Sequence, residues 1–81
     1  MNIERIQLKG QLSEYKSKYK QLDTEASGLI ILIRSLLNPF EDDNSKIDIE
    51  KVSVQTIRLQ NIILELRLLK NKIKNLEDYF G

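Results

Sequence analysis

The stretch VSVQTIRLQNIILELRLL, residues 52–69, decides the fold. Val52, Gln55, Leu59, Ile62, Leu66 and Leu69 alternate at intervals of three and four, which places them on one face of an α-helix. The series runs on through Ile73, Leu76 and Phe80. With Val52 at heptad position a, these are the a and d positions of a coiled coil. Gln55 is its one polar member. The same stretch carries a second apolar set: Val54, Ile57, Leu64 and Leu68 fall at c and f, roughly opposite the first face, and Ile63 falls at e. A helix apolar on two sides needs two neighbours.

Working back from this stretch, one neighbour is in the same chain. Leu8, Leu12, Tyr15, Tyr19, Leu22, Ala26, Leu29, Ile33 and Leu36 form an equally regular series with Leu8 at d. Asn2 is placed as its N-cap, and Asn38-Pro39 ends it, because proline lacks an N–H and disfavours helix in the residue before it. The residues from Pro39 to Asn44 are polar and carry no strand signal. Ser45 with Asp48 three residues on, or Asp48 alone, starts the second helix. The expected organisation is one helical hairpin, with helix 1 over about 3–38, a loop over 39–47 and helix 2 over about 48–79.

In an antiparallel pair, a positions face d positions. Setting Leu36 on Val52 places Leu29 on Leu59, Ala26 on Ile62, Leu22 on Leu66, Tyr15 on Ile73 and Leu8 on Phe80. Gln55 then faces Ile33 as a register-setting polar residue. The flanking charges oppose this register, since Lys16 approaches Lys70 and Lys18 approaches Lys72. Exposed pairs of this kind are worth only about 0–1 kcal/mol.

The remaining apolar residues predict a partner. On helix 1, Ile30, Leu32 and Leu37 flank the seam, and Ile31 sits at f between Gly28 and Ser35 at c. The expected interface comprises Gly28, Ile31, Ser35, Val54, Ile57, Ile63, Leu64 and Leu68. Through it two hairpins would form a four-helix bundle near the loop, with two-stranded arms beyond. The competing reading is that helix 1 and a folded-back loop cover this face.

Composition agrees with a non-enzymatic role. The 81 residues include no Cys and no His, which removes thiol chemistry, thiolate metal sites and the commonest general base. So small a chain without disulfide or metal is stabilised most readily by oligomerisation. The acidic run from Glu41 to Glu50 is not an EF-hand loop: starting at Asp42 or Asp43, the sixth and twelfth positions are Ile47 and Ser53, or Asp48 and Val54. No catalytic, cofactor-binding or metal-ligating residue is expected. Tyr15 and Tyr19 belong to the seam. Residues 1–20 hold five basic and two acidic groups and residues 67–81 four and two, so the arm end is basic although the net charge is only +1. The longest apolar run, residues 29–33, is far short of the ~20 residues of a membrane span.

The stretch from Gly28 to Phe40, GLIILIRSLLNPF, resembles small uncharacterised helical-hairpin proteins of Mu-like prophages. That resemblance implies a hairpin and no known activity. The chain lacks the turn tryptophan of the small secreted Trp-x-Gly hairpins and the paired turn prolines of secretion-needle subunits. The function expected is that of a cytoplasmic, all-α structural or adaptor protein that self-associates as a homodimer or larger assembly, with no membrane contact. The alternatives are a nucleic-acid-associated accessory protein using the basic arms, and an obligate subunit of a complex with another helical protein.

Overall fold

The computed structural model describes residues 3–81; Asn2, the expected N-cap, lies outside them. Along the chain come α1 (Ile3–Leu37), a 3-10 turn (Asn44–Lys46) and α2 (Ile49–Phe80). Each boundary lies one residue or less from its expected place, and each difference has a local cause. Asn38 is not the last helical residue: it takes the left-handed conformation, φ 45°, and donates its N–H to the Ser35 carbonyl at 3.1 Å. Asparagine tolerates this geometry at a helix C-terminus, and Pro39 then prevents continuation. Asp48 is the N-cap of α2 and not its first residue, its carboxylate accepting the Lys51 N–H at 3.1 Å. Ser45 belongs to the separate turn. At the far end α2 continues past Tyr79 to Phe80 and closes on Gly81, φ 78°, whose N–H reaches the Glu77 and Asp78 carbonyls.

The two helices pack against each other along their length. Every member of both heptad series is buried or half-buried. Ala26, Leu29, Val52, Ile62 and Leu69 are the buried ones, at 5–8% exposure. Ala26, Leu29 and Ile62 form the centre of the core, with Leu22, Leu59 and Leu66 packed around them. These are the layers of the register that sets Ala26 on Ile62. Small Ala26 facing larger Ile62 lets the backbones approach there.

A seam between only two helices buries little. The rod measures 66 × 16 × 16 Å. Its radius of gyration is 18.4 Å, against about 12 Å for a compact domain of this length. Accessible surface is 6528 Å², roughly 1,500 Å² more than a compact monomer of this mass exposes. Among the described residues no side chain is fully buried.

Candidate interaction surface

The two flanks of the seam differ in chemistry. In an antiparallel coiled coil, g positions of the helices meet along one flank and e positions along the other. The g flank is ionic: Lys18 Nζ lies 2.9 Å from Glu65 Oε1, and Arg58 Nη2 donates to Glu25 Oε1 at 2.7 Å. One heptad separates the bridges, and their polarity reverses between them. On the e flank Lys16 Nζ meets Glu77 Oε1 at 2.9 Å in the arms. Nearer the loop its positions are Ile30 and Leu37 on α1 and Ile49, Thr56 and Ile63 on α2. The Thr56 hydroxyl donates to the Val52 carbonyl at 2.7 Å, so its polar atom is already occupied. An open groove lined by Thr56, Leu59, Gln60, Ile63, Leu64 and Arg67 runs along this flank.

These bridges replace the like-charge encounters expected from the sequence. Lys16 pairs with Glu77 and not Lys70; Lys18 pairs with Glu65 and not Lys72. The reason is geometric. A flanking side chain in an antiparallel pair has two diagonal neighbours one heptad apart, and a lysine stem turns toward the acid. Lys72 instead places its ammonium 5.4 Å from the centre of the Tyr15 ring, a cation–π contact. At the arm end Arg5 and Lys9 approach the Phe80 ring at 5.4 and 5.9 Å, and Tyr79 meets Phe80 edge to face.

The residues expected to form one interface occupy separate sides of the rod. With a and d facing inward, c and f of each helix point away from its partner helix. Gly28, Ile31 and Ser35 therefore lie on the outer edge of α1, whereas Val54, Ile57, Leu64 and Leu68 lie on the outer edge of α2. Ile63 is half-buried on the flank between them. A single flat partner cannot cover both edges. The α2 edge is the richer: Val54 is 63% exposed, Ile57 59%, Leu64 47% and Leu68 62%. On the α1 edge only Ile31 is large, and a Cβ added at Gly28 would meet nothing within 4 Å. The loop does not fold back over either edge, and Phe40 is itself 93% exposed. The apolar e flank near the loop is the feature that the sequence reading left ungrouped; the signal was available in the e-to-e pairing of an antiparallel register.

The loop acids serve the backbone. Asp43 accepts from the Ser45 N–H at 3.0 Å and the Ser45 hydroxyl at 2.6 Å, and these bonds hold its carboxyl below the ordinary aspartate range. Glu41 accepts the Asp43 N–H at 3.0 Å, and Asp48 caps α2. Among the described residues no group of acidic side chains is placed to hold a metal ion, and no helix is long and apolar enough to cross a membrane.

No protein-family model matches the chain, and no curated protein or solved structure matches it.

Proposed function

We propose that this chain is a non-enzymatic structural or adaptor protein that works by helix–helix self-association, with the outer edge of α2 as its contact surface. The observation carrying this reading is the exposed stripe of Val54, Ile57, Leu64 and Leu68. At ordinary side-chain areas these residues leave roughly 400 Å² of apolar surface in water, the size of the largest patch on a typical monomer, which is often a functional one. Fully burying each would contribute about 1.5–3 kcal/mol, an upper figure because the unfolded chain is itself partly collapsed. Among the described residues nothing covers them.

Sedimentation at micromolar concentration tests the proposal. The wild-type chain is expected to be a dimer or larger. Changing Leu64 and Leu68 to Lys is expected to yield monomers that retain helical circular dichroism. A wild-type chain that stays monomeric and stably folded across that range overturns the reading.

Nucleic-acid binding by the arms is the weaker alternative. The arm lysines are divided between flanks and engaged at several points, Lys16 and Lys18 by glutamates and Lys72 by an aromatic face. They do not form the continuous basic stripe that phosphate tracking uses.

A further inference from the structure

Resting on that self-association, we infer that the α2 stripe takes a second copy of the chain running antiparallel, α2 against α2, about a two-fold axis beside Asn61.

The stripe is nearly its own mirror in sequence. Val54 and Leu68 stand seven residues to either side of Asn61, and Ile57 and Leu64 stand four and three. Reversing the helix direction therefore lays apolar residues on apolar residues, the self-complementarity that an isologous interface requires. Asn61 interrupts the stripe at its centre, where a polar residue costs stability and sets register.

Charge selects the direction. Arg58 and Glu65 occupy g positions, which border the c positions of the stripe, and they stand three and four residues to either side of Asn61. A reversed copy brings Arg58 opposite Glu65 of the second copy, and symmetry makes this contact twice. A copy running in the same direction meets g positions with b positions instead, setting Arg58 beside Ser53 and Glu65 beside Gln60, so neither charge finds an opposite one. The groups are accessible and already held in position: Arg58 by Glu25 and Glu65 by Lys18, with side chains 38–61% exposed. Lys51 and Lys72 fall opposite one another at the stripe ends, where Lys72 has its ammonium turned to Tyr15. The area fits. The stripe's roughly 400 Å² of apolar surface is about half of the ~800 Å² per partner of a standard interface, near the apolar share such interfaces have.

The experiment reverses one intrachain bridge at a time, so that each hairpin keeps its own ion pairs. Glu25→Lys with Arg58→Glu puts both acids on α2; Lys18→Glu with Glu65→Lys puts both bases there. In an antiparallel dimer each variant alone sets like charges against each other, and self-association measured by sedimentation should weaken at least about tenfold. Mixed in equal amounts, the two variants should form a mixed dimer, and the chain carrying all four changes should dimerise as wild type does. Either variant alone dimerising with wild-type affinity, or a mixture that stays monomeric, overturns the antiparallel arrangement while leaving self-association standing. A monomeric wild type overturns both.

Discussion

The loop-proximal half of the hairpin and its arms share one seam yet differ in what surrounds it. Near the loop, Ile30, Ile31, Leu37, Ile49, Val54 and Ile57 all stand at least a third exposed outside the seam. Along α2 the c and f positions then change from Val54, Ile57, Leu64 and Leu68 to Asn71, Asn75 and Asp78. In the arms, the same flanking positions hold the Lys16–Glu77 bridge and the cations over Tyr15 and Phe80. Exposed aliphatic residues outside the seam are therefore concentrated in the loop half, whereas in the arms the large exposed apolar residues are Ile3, Ile6 and Tyr79. The difference teaches that one continuous heptad series can support two kinds of surface, because seam and outer face are set by different residues of each turn.

The largest expected effect probes the seam in both halves. Leu29→Ala removes a side chain that is 7% exposed at the core cluster and should cost about 2–4 kcal/mol, whereas Leu12→Ala in the half-buried arm should cost about half that. Thermal unfolding at one fixed protein concentration checks this, since about 1 kcal/mol moves Tm by 4–8 °C in a domain of this size. Equal losses would erase the distinction between the halves. Next in size is Gly28→Ala. Nothing crowds a Cβ there, so the change should stabilise α1 by up to about 1 kcal/mol without altering oligomeric mass. A loss of mass would instead place the α1 edge in the interface. The smallest effect belongs to the loop. Asp43 has its folded pKa lowered by its bonds to Ser45, so its contribution is present above the ordinary carboxylate pKa of about 4 and is lost as pH falls through the lowered value. The Ser45 amide resonance should follow that titration with a midpoint below the ordinary carboxylate value of about 4; a midpoint at or above 4 would refute the capping bond.

The seam was legible in the sequence because burial along a helix is periodic, and the a/d series of each helix could be traced without knowing its partner. Helix ends were legible to within a residue because Pro39 and Asp48 act locally. The like-charge expectation for Lys16 and Lys18 failed because facing positions were read as contacts, although long flanking side chains choose between two neighbours a heptad apart.

Sequence by itself therefore determined the two helices, their common seam and the excess of aliphatic residues outside it. Only the tertiary structure decided which charges pair across the two flanks and that the loop leaves both outer edges uncovered. Periodicity is a property of one helix at a time. The pairing of charges and the path of the loop depend on how the two helices are set against each other, which no single helix encodes.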